Sequence, residues 1–229
     1  MIKLLIIILT TVSIFGQNFN VSVYGFSVAK ATWNVKNNSV DLEYKTNGLA
    51  EIIWPAVNIY STKFDSINYN FLNFTKTIDQ RPLKQSISID MKNDSLVYKK
   101  NYRVRVRSKP TKNLFSLLAM IQKGSTHDLD TKWLRFDHEG VLFDGRFISA
   151  GLDTININGE NIVCNHYRFD IKKYNEENSL LDETDRLMAY SVKKNTFRQI
   201  WVERDGNRRI IKANITANGF PFEIDIQND

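Results

Sequence analysis

The clearest hydrophobic pattern of the chain covers residues 197–226. Three stretches of alternating apolar and polar residues are separated there by an Asp-Gly pair at 205–206 and an Asn-Gly pair at 218–219. These dipeptides accept the positive φ angles of tight hairpin turns. Because successive strand side chains point to opposite faces, the alternation gives one apolar and one polar face. The pattern predicts a three-stranded meander with one buried face.

The same period of two recurs along most of the chain. Together with the meander it predicts about a dozen strands at hairpin spacing. Residues 172–185 are polar and are predicted to form the longest loop, while Pro55 interrupts an apolar run and makes 51–54 a loop or short helix. The other predicted strands cover residues 19–23, 29–35, 40–44, 57–60, 87–91, 98–108, 132–136, 141–149, 154–157, 162–171 and 187–194.

One segment has helical periodicity. Residues 112–123 carry apolar side chains at positions i, i+3, i+4 and i+7, which form a stripe along one side of a helix. Pro110 and Thr111 precede this segment and Gly124 ends it. The residues of the stripe, which should pack on the sheet, are Leu114, Leu117, Leu118 and Ile121.

These elements define the predicted fold class. The chain is expected to be mainly β, with a large curved antiparallel sheet that forms a half-barrel or open barrel around one packed amphipathic helix. Proline cannot donate a hydrogen bond to a neighbouring strand. Pro221 therefore predicts that the last strand lies at an edge of the sheet, which favours the open form.

The N-terminus has the pattern of a secretory signal peptide. Lys3 supplies a positive start, an apolar run extends from Leu4 to Phe15, and Gly16 offers a small residue for cleavage. The run is short for a transmembrane helix, which needs about 20 apolar residues. No cysteine follows the run, so lipid attachment at an N-terminal cysteine is not predicted. We expect a signal peptide at 1–16, one β-rich domain at 17–229, and a periplasmic, cell-surface or secreted location.

Composition and charge add little to this picture. The chain is 42% hydrophobic and 24% charged, which is ordinary for a globular protein. Its formal net charge is +6, which the loss of Lys3 with the leader would lower by one unit. A mild positive charge favours contact with anionic lipid or envelope polymers, and it also keeps a small domain soluble. Cys164 is the single cysteine, so no intramolecular disulfide can form.

Several stretches together resemble a known family. They are YGFSVAKAT at 24–32, KFDSI at 63–67, the helical segment 114–121, and QIWVERD at 199–205 followed by RRIIKANI at 208–215. The chain thereby resembles the exported bacterial family called domain of unknown function 3108 (DUF3108). This resemblance implies a periplasmic or surface β-rich protein with no established activity. By analogy of fold alone, such sheets are similar to the half-barrels of lipoprotein carriers, which hold acyl chains.

Two groups of residues contain side chains suited to metal binding or catalysis. His127, Asp128 and Asp130, with Asp137, His138 and Glu139, contain the ligand types of zinc or manganese, but their spacing fixes no geometry and no metal site is predicted. Cys164 and His166 share one strand face and suggest a thiolate with its base. Because no third group orients the histidine, we expect a structural cysteine beside a surface histidine.

The sharpest charge feature is a stripe of three arginines, Arg103, Arg105 and Arg107, on one face of a predicted strand. It is a candidate site for an anionic partner such as a lipid headgroup or an envelope polymer. Nucleic acid is disfavoured, since the protein is expected to be exported and few aromatic residues accompany the stripe. The simpler interpretation is a solvated strand whose charges prevent edge association.

Three functions remain open. No phosphate loop, dinucleotide fingerprint or nucleophile motif is present, so no catalytic or cofactor residue is predicted. Strand 197–204 carries apolar residues on both faces, and if one face lines a cavity, an apolar ligand would fill it. The leading hypothesis is an exported, non-enzymatic envelope protein that binds an apolar or amphipathic ligand, such as a lipid, in the curved sheet, with peripheral membrane contact as a further option. The alternatives are a structural or assembly factor with an envelope protein partner and, third, an enzyme with scattered carboxylates.

Overall fold

A computed structural model describes residues 16–92, 95–98, 103–106, 111–124, 129–217 and 219–227. The first eight strands in this part of the chain are β1 (Gly16–Val23), β2 (Phe26–Val35), β3 (Ser39–Thr46), β4 (Ala56–Phe64), β5 (Phe71–Gln80), β6 (Leu83–Lys92), β7 (Ser95–Tyr98) and β8 (Arg103–Val106). The later strands are β9 (Lys112–Asn113), β10 (Leu134–His138), β11 (Val141–Ile157), β12 (Glu160–Lys173), β13 (Phe197–Glu203), β14 (Ile210–Ala217) and β15 (Phe220–Gln227). The helices are α1 (Gly48–Ile53), α2 (Leu114–Lys123) and α3 (Arg186–Ser191).

All fifteen of these strands belong to one open sheet. Its spatial order runs from β8 back to β1, then to β15, and from there back to β9. Neighbouring strands are antiparallel, except that β9 runs parallel to β10. The predicted fold class, a large curved antiparallel sheet with a packed helix, is therefore confirmed. Within the described residues, no helix combines the length and apolar character that a membrane-spanning segment needs.

The predicted hairpins are largely correct. The closing meander corresponds to β13, β14 and β15. Asn158 and Gly159 form the turn between β11 and β12, with φ angles of 51° and 92°. The strands predicted at 141–149 and 154–157 are one long strand, β11, which contains an irregularity between Ser149 and Gly151. Gly151 has a φ angle of 113°, a conformation that glycine adopts without the strain a side chain would cause.

Helix α2 fills the concave side of the sheet. Its ring at Phe115 packs against those of Trp33, Tyr60 and Phe74, with centroid distances of 6.5, 5.3 and 5.6 Å. The indole N–H of Trp33 donates to Oε1 of Gln122 at 2.9 Å. Burial is broader than the predicted stripe, because the helix is surrounded by the sheet instead of lying on it. The buried helix residues are Leu114, Phe115, Ser116, Leu117, Ala119, Ile121 and Gln122.

The start of α2 is fixed by a capping box. The backbone N–H of Ser116 donates to the side chain of Asn113, and the Ser116 hydroxyl accepts from the backbone N–H of Asn113. The Asn113 amide also donates to Thr62 Oγ1 on β4 at 2.9 Å. The helix therefore begins at Leu114, two residues later than predicted, because Asn113 provides a better N-cap than Thr111.

The strand predicted at 187–194 is wrong, because this segment forms α3. Asp185 caps the helix by accepting the backbone N–H of Met188 at 3.0 Å. Met188 and Ser191 are the buried helix residues, at i, i+3 spacing, whereas Ala189 and Tyr190 are exposed. A six-residue segment is too short for the sequence to show whether its apolar residues follow the period of a helix or that of a strand.

The prediction that β15 is an edge strand is also wrong, since β15 lies between β1 and β14. The ladder with β1 ends at the pair Val23 and Phe222, so Pro221 lies beyond it. Pro221 is opposed by Thr216 of β14, and its missing N–H leaves the β1 ladder intact. The strands at the two ends of the order are β8 and β9.

The sheet curls until its β9–β10 end meets β4 and β5. The backbone N–H of Phe71 donates to the carbonyl of Thr111, and Lys76 of β5 reaches Glu139 in the turn after β10. Helix α3 lies at one mouth of the curled sheet, where the Tyr190 ring packs 6.1 Å from that of Phe222. Arg198 of β13 secures the end of α3 by donating to the carbonyls of Ser191, Thr196 and Lys193.

Candidate functional site

A buried ionic cluster ties the curled sheet together. Lys76, Glu139 and Asp185 have side chains that are 0%, 3% and 0% exposed. Lys76 Nζ donates to Asp185 Oδ2 at 3.1 Å and to Glu139 Oε1, and it also reaches the Thr184 hydroxyl at 3.2 Å. The Thr184 hydroxyl donates to Glu139 at 2.7 Å. The Lys76 ammonium group thus forms ion pairs with two carboxylates from different parts of the chain.

A tyrosine completes this cluster. The Tyr60 hydroxyl donates to Asp185 Oδ1 at 2.7 Å, and the Asn58 amide reaches the same hydroxyl at 3.3 Å. Burial, followed by the charge and hydrogen bond of Asp185, raises the pKa of Tyr60. The phenol therefore remains a hydrogen-bond donor that helps to satisfy the buried carboxylate.

His138 lies beside the cluster, buried and with poorly satisfied ring nitrogens. The residue is buried, its ring is edge-on to Phe143 at 5.9 Å, and neither ring nitrogen has a hydrogen-bond partner of ordinary geometry, although the Met188 backbone approaches it. Burial lowers the pKa of His138, while the neighbouring Glu139 opposes this shift. The adjoining void measures about 10 Å³, roughly the space of one water molecule. The cluster is sealed from solvent, so it ties structure together and offers no surface to a substrate.

The sequence contained a signal for this cluster that pattern analysis missed. Lys76 occupies an inward position of β5, between the buried residues Phe74 and Ile78. A lysine on the apolar face of a strand requires a buried partner. Its partners, however, come from 63 and 109 positions further along the chain, which no local pattern reveals.

The candidate metal ligands that lie within the described residues do not converge. His127 and Asp128 lie outside the described residues. Asp130 accepts a hydrogen bond from the backbone N–H of Ser149, and Asp137 accepts one from that of Gly140. Both carboxylates are thus hydrogen-bonded to the backbone. Within the described ranges, no three His, Cys, Asp or Glu side chains are grouped to hold a metal ion.

Cys164 and His166 lie on the outer face of β12, where His166 belongs to a hydrogen-bonded cluster. Asp153 Oδ2 lies 3.0 Å from His166 Nδ1 and accepts the indole N–H of Trp201 at 2.7 Å. The Trp201 ring stacks on the imidazole at 4.3 Å, and Gln199 contacts His166 Nε2 at 2.8 Å. Asp153 is thus the orienting group that sequence analysis did not find, and His166 is mostly covered instead of lying on the surface.

This arrangement does not make Cys164 a nucleophile. Both ring nitrogens of His166 are engaged by Asp153 and Gln199. Cys164 is fully buried, and its Sγ lies 3.6 Å from the carbonyl of Ile162. Burial, reinforced by Glu203 and Asp153, raises the pKa of the Cys164 thiol to about 11. A thiol of this kind is unreactive.

The same cluster explains the strand that is apolar on both faces. Ile200 and Val202 are buried towards the core, whereas Trp201 is buried against His166 on the opposite face. The two faces of β13 are therefore covered by core packing and by this polar cluster. The void near α2, at about 10 Å³, is far smaller than an acyl chain.

The arginine stripe falls on the edge strand β8. Arg103 and Arg105 share one face of its backbone, and they are opposed by Tyr98 and Leu96 of β7. Arg107 lies outside the described residues, as do the side chains of the other two. A partner for the stripe stays a prediction.

Exposed apolar side chains gather at one end of the sheet, where β2 and β15 begin and β1 and β3 end. Phe26 and Ile52 are 77% and 78% exposed, and α1 has no buried residue. We call this surface the apolar rim. It consists of Tyr24, Phe26, Leu49, Ile52, Ile53, Trp54, Tyr190, Phe197 and Phe220, all exposed.

Contacts show that the apolar rim is continuous. The Tyr24 hydroxyl donates to the Gly219 carbonyl, and its ring lies 6.3 Å from that of Phe220. The next turn is joined by side-chain hydrogen bonds between Ser27 and Asn47, the residue that precedes α1. At the end of α1, Trp54 lies under the guanidinium of Arg186 in α3 at 5.1 Å. The ring of Tyr190 in α3 packs against that of Phe222 in β15, which connects α3 to the first hairpin turn again.

The fold defines the class of the molecule as an open, β-barrel-like protein. The chain is similar to the crystal structure of a β-barrel-like protein of domain of unknown function DUF1849 from Brucella abortus, with 6% sequence identity, a TM-score of 0.57, and coverage of 93% of this chain and 99% of that chain. A second structure, the hypothetical lipoprotein YmcC from Escherichia coli K12, gives 10% identity and a TM-score of 0.36, with coverage of 93% and 86%. No family model and no curated protein matches the sequence.

These comparisons correct the family inferred from sequence. The resemblance to DUF3108 is wrong, because no family model matches the sequence and the similar fold is that of a DUF1849 protein. The stretches that suggested DUF3108 are strands, hairpin turns and a core helix. Large curled sheets of different families need the same alternation and turn residues, so such stretches identify a fold better than a family.

Proposed function

We propose that this chain is an exported protein of the cell envelope that acts by binding amphipathic lipid, without catalysis, and that its binding surface is the apolar rim. The observation that carries the proposal is the continuous exposure of large apolar side chains around one mouth of the sheet. Soluble monomeric proteins rarely expose extended apolar patches unless these contact a partner or a membrane.

The concave side of the sheet is already filled, which favours a binding surface at the rim over one inside the fold. Helix α2 occupies the concave side, and Phe115 is packed among three aromatic rings. Binding an acyl chain there would require the displacement of this helix and of its cap at Asn113. The rim needs no such rearrangement, because α1 is already exposed.

The free energy of binding would come from the burial of several rim side chains together. Fully burying one large apolar side chain contributes about 1.5–3 kcal/mol. The rim presents several such side chains from α1 and from two adjacent hairpin turns, so partial burial of each would outweigh the cost of association.

The test is sedimentation of the purified mature protein with vesicles of total envelope lipid. The wild-type protein is expected to sediment with the vesicles, and the double variant Phe26→Ser/Ile52→Ser is expected to bind at least about tenfold more weakly. Ile67→Ser is the matched control, since Ile67 is 85% exposed at the opposite end of the sheet. Thermal unfolding would verify that each variant is folded.

A wild-type protein that stays in solution would overturn the proposal, as would a rim variant that binds like the control. Native mass spectrometry before and after organic extraction adds a second measurement. A lipid-sized mass that remains bound to the rim variant would show that the ligand lies elsewhere, within the curved sheet.

A second candidate function is an assembly factor with an envelope protein partner. It is favoured by β8, which forms one end of the sheet and pairs with β7 in the described part of the chain. Edge strands accept additional strands from other chains. Crosslinking in the envelope from a photoreactive residue at position 104 would recover such a partner, and recovery of none would remove this candidate.

A further inference from the structure

We infer that the apolar rim binds the surface of an anionic membrane. The inference rests on the proposed function and names the partner of the same surface. Proteins that lie on membranes combine aliphatic side chains, aromatic residues at the level of the headgroups, and lysine or arginine residues nearby. The rim contains all three kinds of residue.

Two cations are placed directly over aromatic rings of the rim. The Arg186 guanidinium lies 5.1 Å from the ring of Trp54, and Lys193 Nζ lies 5.2 Å from the ring of Tyr190. Among the ion pairs of the described residues, neither cation is held by a carboxylate. Both charges are therefore free to meet headgroup phosphates while the rings lie at the membrane interface.

The fold holds the backbone at both of these cations in position. Asp185 caps the start of α3, next to Arg186, and is itself fixed by Lys76 and Tyr60. At the other end of α3, the Arg198 guanidinium donates to the backbone carbonyl of Lys193 at 2.8 Å. A surface whose backbone is ordered in advance loses less entropy when it binds.

The charge balance around the rim is positive. At this end of the sheet, the acids Glu51 and Asp79 are paired with Lys45 and Lys84. Two further exposed acids, at positions 182 and 183, precede α3. They are outnumbered by the cations at this end of the sheet that have no carboxylate partner among the described residues. We call these the rim cations, and they are Arg81, Arg186, Lys193 and Lys194. An anionic surface is therefore a better complement than a neutral one.

The test compares vesicles of phosphatidylcholine with vesicles in which about a third of the lipid is phosphatidylglycerol. The mature protein is expected to bind the anionic vesicles about tenfold more tightly, and this advantage should disappear at high salt. In the double variant Arg186→Gln/Lys193→Gln, affinity for anionic vesicles should fall about tenfold while affinity for neutral vesicles stays the same. The matched control is Lys36→Gln/Lys173→Gln, which removes two exposed cations away from the rim.

Equal affinity for neutral and anionic vesicles would overturn this inference and leave the proposed function standing. Binding to neither kind of vesicle would overturn both. An unchanged preference in the Arg186→Gln/Lys193→Gln variant would overturn the assignment to the rim cations, and far-ultraviolet circular dichroism would establish that the variant is folded.

Discussion

Lys76 and Glu139 lie 63 positions apart in the sequence, and they form an ion pair from which solvent is excluded on both sides. The pair joins β5 to the turn after β10, the two regions that meet when the sheet curls. Asp185 brings the start of α3 into the same group. One buried lysine therefore links the two regions that meet in the curled sheet to the start of α3.

Loss of this lysine is expected to be costly. Lys76→Met leaves two buried carboxylates without a cation, so we expect the free energy of unfolding to fall by about 3–5 kcal/mol. Urea unfolding followed by circular dichroism measures this change. Lys84→Met is the matched control, because its pair with Asp79 is exposed, and it should change stability by at most about 1 kcal/mol. Similar losses in the two variants would contradict the structural role of Lys76.

His138 should make the protein sensitive to mild acid. Because burial lowers its pKa, the unfolded chain takes up this proton at a higher pH than the folded chain does. Its contribution to stability is thus present above the ordinary histidine pKa of about 6.5 and is lost as the pH falls below it.

The measurement is the free energy of unfolding at pH 7.5 and at pH 5.5, for the wild type and for His138→Gln. We expect the wild type to lose more stability on acidification than the variant does. A parallel loss would show that the carboxylates, and not His138, cause the acid sensitivity.

The cap of α2 gives a prediction about the helix inside the sheet. Asn113→Ala removes both the acceptor for the Ser116 N–H and the donor to Thr62. We expect a loss of about 1–2 kcal/mol in unfolding free energy. Asn113→Ser retains a capping oxygen and should recover part of this loss. If the serine variant were less stable than the alanine variant, capping would not be the reason for the asparagine.

Cys164 should be inert in the folded protein. Its thiol is buried and its pKa is raised to about 11, so iodoacetamide at pH 8 should not modify it, whereas the unfolded protein in urea should be modified rapidly. Intact-mass spectrometry distinguishes the two states. Rapid modification of the folded chain would mean that the outer cluster around His166 opens readily.

Local patterns were sufficient for most of the sheet. The alternation over residues 197–226 predicted β13 to β15, and the spacing of the leucines predicted α2, because each element shows several repeats of its own period. Pro221 was misinterpreted, since a proline at the end of a central strand leaves the same sequence pattern as one on an edge. The segment 187–194 was misinterpreted because one and a half helical turns resemble a short strand.

The sites were less accessible to sequence analysis. The Lys76 cluster depends on pairings over long distances along the chain, and Asp153 reaches His166 only because β11 and β12 are long enough to pair beyond the irregularity at Gly151. The apolar rim consists of residues from strand ends, a turn and two short helices that are far apart in the sequence. Each of them looks like an ordinary loop residue, and their common position depends on the order of strands in the sheet.

The pairing of β1 with β15 has a consequence for how the protein acquires its structure. Every other antiparallel pair joins strands that are consecutive in the chain, so each half of the sheet can form by itself as the polypeptide emerges. The pairing of β1 with β15, in which Phe19 is opposite Ile226, can form only after the last strand has been made. Loop closure over nearly the whole chain makes this the slowest expected step of folding. Until then β1 presents an unpaired edge, and the newly made chain is most vulnerable to aggregation during that interval.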